Sequence, residues 1–129
     1  MDLNRTPETI AYAAAQEVQA LNHLTFNTDV FTYPAEVQST ACGLNKLLLN
    51  LPQSLSQLIA GLNHVEQIRE LRTHDGSDVG QAVEGARADL ANAVAHARLA
   101  QQALQAVVDG LAVVGARYVP ADDEELSDV

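Results

Sequence analysis

Two rows of small and aliphatic residues, each with a spacing of seven, constrain the fold of this chain more than any other feature. One row holds Leu44, Leu51, Leu58 and Val65, and the other holds Ala41, Leu48, Leu55 and Leu62. The alternating steps of four and three place both rows on one side of an α-helix, a pattern typical of a seam between packed helices. The spacing therefore predicts a long helix with a continuous apolar stripe.

A second pattern of the same period follows THDGSD, residues 73 to 78, which is the strongest turn signal in the chain. Its rows are Val83, Leu90, Ala97, Leu104, Leu111 and Tyr118, and Ala86, Ala93, Ala100, Val107 and Val114. Asp78 is suited to cap this helix. Folding about the turn brings Leu48 near Leu104 and Leu62 near Leu90. The chain is thus predicted to form an antiparallel helical hairpin from residues 34 to 72 and 78 to 118.

Shorter signals complete the predicted architecture. A first helix should begin after Thr6, because Pro7 fits a first helical turn, and it should end near His23. Its inner face should carry Ile10, Ala14, Val18 and Leu21. In the loop that follows, Phe26, Phe31 and Tyr33 are expected to close one end of the core. Pro52 lies inside the second helix and should kink it or divide it at Asn50 or Leu51.

These elements predict an all-α fold, an up-and-down helical bundle of three or four helices dominated by a long antiparallel hairpin. With 129 residues the chain is long enough for one domain, which we assign to residues 1 to 121. Residues 122 to 129 are rich in carboxylates and are expected to form an acidic disordered tail.

Charge and cysteine content exclude several function classes. The formal net charge is −10, and the seven Lys and Arg residues are scattered rather than clustered, so binding to nucleic acid is not expected. The single cysteine, Cys42, allows no intramolecular disulfide and is expected to be a small buried hydrophobe. The N-terminal segment has neither the basic start nor the apolar run of a secretory signal. We therefore expect the protein to be cytoplasmic.

The leucine-rich stretch from residue 43 to residue 62 is not expected to cross a membrane, because its Asn, Gln, Ser and Lys side chains would need partners in hydrocarbon. From Val37 to Val65 the only charged residue is Lys46, which is too little charge for a helix with a fully solvated back. A homodimer, or a complex with another helical protein, is the expected cover. The predicted interface residues are Leu47, Leu49 and Ile59.

No motif ties a residue to a chemical step. Glu66, Glu70 and His74 recur at intervals of four, so one helix face presents two carboxylates and an imidazole. Metal sites in helical bundles draw ligands from several helices, usually with a Glu-x-x-His pair, and this chain lacks that pair. A solvated stripe with local ion pairs to Arg69 and Arg72 is the preferred interpretation. We therefore predict no metal, no cofactor and no enzymatic activity.

The segment YVPADDEELSDV at the end of the sequence gives an alternative. Tyr118 and Asp122 lie four apart directly after the predicted hairpin. This spacing resembles the Tyr-x-x-x-Asp/Glu signal of type VII secretion substrates in the WXG100 family, whose fold is also a helical hairpin. The resemblance implies secretion through a type VII system. The family's Trp-x-Gly turn is absent, because THDGSD occupies the turn and the chain has no Trp.

A looser resemblance covers about residues 10 to 65. The runs LNHLT, YPAEV and LPQSLSQL are similar to those of short uncharacterised helical proteins of actinobacteria. That group implies a cytoplasmic protein and supplies no activity. Taken together, the sequence favours a non-catalytic helical interaction or assembly module, acting as a homodimer or as a subunit of a complex. A type VII secretion substrate is the alternative, and a metal-binding or other enzyme is third.

Overall fold

The computed structural model describes residues 1 to 117, and within this range the regular structure is helical with no strand. Helix α1 spans Pro7–Thr25, a short 3-10 helix spans Thr28–Val30, α2 spans Pro34–Ile68 and α3 spans Val79–Leu111. Helices α2 and α3 pack against each other as a hairpin. The predicted all-α fold with a dominant antiparallel hairpin is confirmed. The proposed acidic tail lies outside the described residues.

Helix α1 begins after Thr6, as predicted. Thr6 Oγ1 accepts a hydrogen bond from the Thr9 amide at 3.3 Å, and Pro7 occupies the first turn. The helix continues to Thr25, two residues beyond the predicted end near His23. Thr25 Oγ1 donates to the Leu21 carbonyl at 2.8 Å, which gives this β-branched residue a local partner inside the last turn.

Helix α2 runs unbroken for 35 residues, so the predicted division at Pro52 is wrong. A proline inside a helix removes one backbone hydrogen bond and crowds the preceding turn. Here the ring of Pro52 is buried, on the side of α2 that faces α3. Burial of its apolar surface offsets the lost bond. At 1.5 Å per residue, α2 is about 52 Å long.

The turn between α2 and α3 is formed as predicted. Gly76 has a φ of 78°, a left-handed conformation that glycine adopts without strain. Asp75 Oδ1 accepts hydrogen bonds from the amide of Ser77 at 3.0 Å and from its hydroxyl at 2.7 Å. Asp78 then caps α3, because its Oδ1 accepts from the Gln81 amide at 2.9 Å.

Both long helices end earlier than predicted. Helix α2 ends at Ile68 rather than at residue 72, and Arg69 is already extended. Helix α3 ends at Leu111 rather than at residue 118. The residues after Leu111 include Val113, Val114 and Gly115, all of which have low helix propensity. An apolar heptad row does not override this preference where no partner helix lies opposite.

Very little of the described chain is buried. Only Ala41, Pro52 and Val94 are buried among residues 1 to 117, and all three lie in the α2–α3 hairpin. Helix α1 buries no residue, and none of its Cα atoms lies within 8 Å of a Cα of α2 or α3. The predicted aromatic closure of the core is wrong for Phe26, which caps α1 in a helical conformation and is 91% exposed.

Substitution of Leu55 tests whether the seam between α2 and α3 is packed as described. It is half-buried in the row that also contains Ala41, Leu48 and Leu62. Leu55→Ala should lower the free energy of unfolding by about 2 kcal/mol, because it removes apolar contacts from the only packed region of the hairpin. Chemical denaturation measures this loss. Gln102→Ala, at an exposed position of α3, should stay within about 0.5 kcal/mol of the native value, and equal losses would contradict the seam.

The pKa of Asp75 tests the hydrogen bonds that form the turn. Its hydrogen bonds from the Ser77 hydroxyl and amide lower the pKa of the carboxyl group below 3.8. The turn is thus stabilised above the unfolded-state pKa, and this contribution is lost as pH falls through the lowered folded-state pKa. Ser77→Ala should raise the pKa of Asp75, as measured by carboxyl NMR titration. Ser56→Ala should not change it, and an unchanged pKa in Ser77→Ala would show that the hydroxyl contributes nothing.

Candidate protein interface

The side of each long helix that faces the other is defined by burial. On α2 the inner rows are Ala41, Leu48, Leu55 and Leu62, and Gln38, Asn45, Pro52 and Ile59. On α3 they are Val83, Leu90, Ala97, Leu104 and Leu111, and Arg87, Val94, Gln101 and Val108. The predicted rows that contain Ala41 on α2 and Val83 on α3 are confirmed. The predicted rows that contain Leu44 on α2 and Ala86 on α3 lie one residue position away from the seam.

Polar contacts across the seam account for this displacement. Asn45 Nδ2 donates to Gln105 Oε1 at 2.7 Å, and Gln101 Nε2 donates to Asn45 Oδ1 at 3.2 Å. Gln38 Nε2 donates to the Val108 carbonyl at 3.2 Å. These bonds require the Gln and Asn row of α2 to face α3, so a more apolar row of α2 is turned outward. They also fix the register, placing Leu48 within about one helical turn of Leu104, as predicted.

A charged network fixes the end of the hairpin near the turn. Arg87 Nε donates to Asn63 Oδ1 at 2.8 Å, Nη1 donates to Glu84 at 3.0 Å, and Nη2 donates to Glu66. The hydrogen bonds that Arg87 donates to Glu84, and to a lesser extent to Glu66, raise its pKa above the ordinary value. The guanidinium therefore binds one carboxylate from each helix and helps to set their register.

The two flanks of the seam differ in polarity. On one flank, Leu49 and Ser56 of α2 line a cleft together with Arg98 of α3. Residues at the corresponding positions farther along the hairpin include Asn63 and Glu84. This polar flank mixes apolar, neutral and charged side chains, and a single exposed leucine on it is ordinary for a protein surface.

The opposite flank is apolar on both helices. It carries the predicted rows that the structure displaces from the seam: Leu51, Leu58 and Val65 from α2, and Ala86, Ala93 and Ala100 from α3. We call these six residues the open face. Leu58 is 57% exposed, Val65 is 41% exposed, Ala86 and Ala100 are also exposed, and Leu51 and Ala93 are half-buried. No residue of the open face carries a charge or a hydrogen-bonding side chain.

Helix α1 lies beside α2 just before the open face begins. Val18 and Leu21 of α1 are half-buried and line a gap of about 330 Å³ that is bounded on α2 by Leu44 and Leu47. Of the predicted inner face of α1, Ile10 and Ala14 remain exposed. The first helix thus shields residues 40 to 47 of α2 loosely and leaves the open face uncovered.

The three predicted interface residues lie on different sides of α2. Leu47 is half-buried beside α1, and Ile59 is half-buried in a row that faces α3. Leu49 is 61% exposed, on the polar flank. They therefore do not form a continuous surface. Sequence reasoning missed the open face because it assigned the row of Leu51, Leu58 and Val65 to the seam.

The predicted solvated stripe of Glu66, Glu70 and His74 is not formed as one helical face, and the ion pair that Glu66 makes is with Arg87 rather than with Arg69 or Arg72. Glu66 lies in α2 and binds Arg87, whereas Glu70 and His74 come after the helix has ended at Ile68. Residues 1 to 117 contain no group of three or more His, Cys, Asp or Glu side chains that could hold a metal ion. Cys42 is half-buried, less buried than its prediction implies.

Other sequence predictions meet the structure only in part. No helix in the described part of the chain is sufficiently long and apolar to span a membrane. Tyr118 and Asp122, the residues of the secretion signal implied by the WXG100 resemblance, lie outside residues 1 to 117. That resemblance and the actinobacterial one stay predictions.

In comparisons with known proteins, no family model matches this chain, and no curated protein and no solved structure matches it significantly.

Asn45 tests the polar part of the seam. Asn45→Ala should cost about 1 kcal/mol more than Asn92→Ala, because only Asn45 bonds to side chains of the other helix and its loss leaves Gln105 and Gln101 without that partner. Asn92 is exposed on α3, and its replacement gives the same gain in helix propensity. Urea denaturation of both variants measures the difference. Identical unfolding midpoints would contradict a role for Asn45 in fixing the register.

Proposed function

We propose that this protein is a non-catalytic helical interaction module that acts as a homodimer. The observation that supports it is the surface area of a single chain. The chain exposes 10341 Å², whereas a compact monomer of 13.8 kDa exposes about 6,600 Å². A hairpin of two long helices, each of which buries only one stripe, contributes to this excess, and so does helix α1, which buries no residue.

The excess is large even without the residues beyond the described range. If residues 118 to 129 were counted at the area of an unfolded chain, they would contribute about 1,900 Å². The rest of the chain still exceeds the compact value by roughly 1,900 Å². A stable dimer of standard size buries about 800 Å² on each partner. One chain therefore has ample surface to form such a contact.

The small core also supports a homodimer. With three buried residues in the described range, the isolated hairpin gains little from hydrophobic burial. Association with a second copy adds buried apolar area at no cost in further chain folding. The open face supplies apolar surface without charge, and the acidic residues from Asp122 onward serve as a solubilising or docking element. Another helical protein is the alternative partner.

Sedimentation equilibrium tests this proposal on the full chain. We expect a mass of twice 13.8 kDa at about 100 micromolar, with a dissociation constant on the order of a micromolar. The melting temperature should rise with protein concentration, because dimerisation stabilises only the folded chain. A mass that stays at 13.8 kDa throughout, with a constant melting temperature, would overturn the homodimer.

A further inference from the structure

We propose that the second copy binds the open face in one orientation, with the leucine row of α2 against the alanine row of the partner's α3. The product is a four-helix bundle made of two hairpins. This inference rests on the proposed homodimer and adds its surface and geometry. It follows from the width of the apolar stripe, the absence of charge and the shape of the open face.

The apolar stripe is wider than one partner helix can cover. On α2 it includes both the inner row with Leu48 and Leu55 and the outer row with Leu51 and Leu58. A seam between two helices needs only two positions in every seven, whereas helices in the core of a bundle carry three. Helix α3 covers the inner rows, and the outer row requires further helices on the flank of the open face.

Most charged side chains of the hairpin lie away from this contact. Lys46 is the only charged residue between Val37 and Val65, and it is not part of the open face. On α3 the ion-pairing Arg87 and Glu84 bind across the seam or lie on the polar flank, as Arg98 does. Asp89, between Ala86 and Ala93 on the same side of α3, is exposed at the edge of the open face. A second copy must leave this carboxylate in the solvated rim of the contact, because desolvating an unpaired charge is the costliest event in forming an apolar interface.

The shape of the open face selects the orientation. The leucines of α2 form a ridge, whereas Ala86, Ala93 and Ala100 of α3 leave a groove beside it. A two-fold axis parallel to the helices places each ridge on the partner's groove. An axis across the helices places leucine ridge on leucine ridge and groove on groove. Close packing favours the first arrangement, because ridges that enter grooves leave no voids.

This orientation makes every pair of neighbouring helices antiparallel. Helix α2 lies beside its own α3 and against the partner's α3, and both of these run in the opposite direction. The axis across the helices would also make neighbouring helices antiparallel, so helix macrodipoles do not distinguish the two arrangements. A further consequence is that both turns, at residues 73 to 78, lie at the same end of the dimer.

A matched pair of variants tests the surface. Leu58 on the open face and Leu49 on the polar flank are on the same helix and are 57% and 61% exposed. Leu58→Glu should raise the dimer dissociation constant at least about 100-fold, because it places an unpaired carboxylate in the interface. Leu49→Glu should leave it within about threefold of the native value. Sedimentation equilibrium gives the constants, and circular dichroism checks that each variant keeps its helicity.

The outcomes separate this inference from the proposed function. A native dimer that Leu58→Glu dissociates and Leu49→Glu does not supports both. If the native protein is a dimer and the two folded variants give any other pair of dissociation constants, the open face is not the interface, although the homodimer remains supported. A native protein that is monomeric at about 100 micromolar overturns both.

A spin-label distance tests the orientation and does not depend on the folding of Leu58→Glu. His74 is exposed in the turn, so His74→Cys in a Cys42→Ala background provides one label on each copy. With the turns at the same end, we expect the two labels to lie within about 25 Å of each other. With the turns at opposite ends, the length of α2 would separate the two labels by about 45 Å. Double electron–electron resonance on the dimer measures it. The longer distance would overturn the ridge-on-groove packing.

Discussion

Two helices that pack side by side can each bury only one stripe, and this limit governs the structure. Helices α2 and α3 are both about 50 Å long, yet the described chain has only three buried residues. The short α1 approaches α2 near Leu44 and Leu47 and does not extend the core. A long hairpin of this kind is therefore an incomplete bundle, and its uncovered apolar residues are where a partner gains the most burial.

Polar contacts decide which stripe is buried. Asn45 bonds to Gln101 and Gln105 at the middle of the seam, and Arg87 bonds to both helices near the turn. Hydrophobic burial is not directional, so it would accept several rotations of α2 about its axis. Hydrogen bonds are directional and select one. The selected rotation buries the polar row and turns Leu58 outward, which creates the open face.

The sequence predicted the helical hairpin, its turn and the caps of α1 and α3, because these depend on local chemistry at Thr6, Gly76 and Asp78 and on a strong seven-residue period. It predicted one buried row on each helix correctly. The second row was wrong, since apolar character alone favoured Leu58 over Asn45, and the side-chain bonds that reverse this choice depend on residues about 60 positions away. The candidate site was missed for the same reason: a residue assigned to the seam is not considered as surface.

In the proposed dimer, the open face is exposed in one chain and covered by the second. Methyl NMR of the native protein with a soluble paramagnetic relaxation agent tests it most directly, because Leu58 and Leu49 are similarly exposed in the single chain. Above the dissociation constant, we expect the Leu58 methyls to be shielded from the agent and the Leu49 methyls to be broadened. On dilution below it, both should broaden. Equal broadening of the two leucines at every concentration would contradict the account.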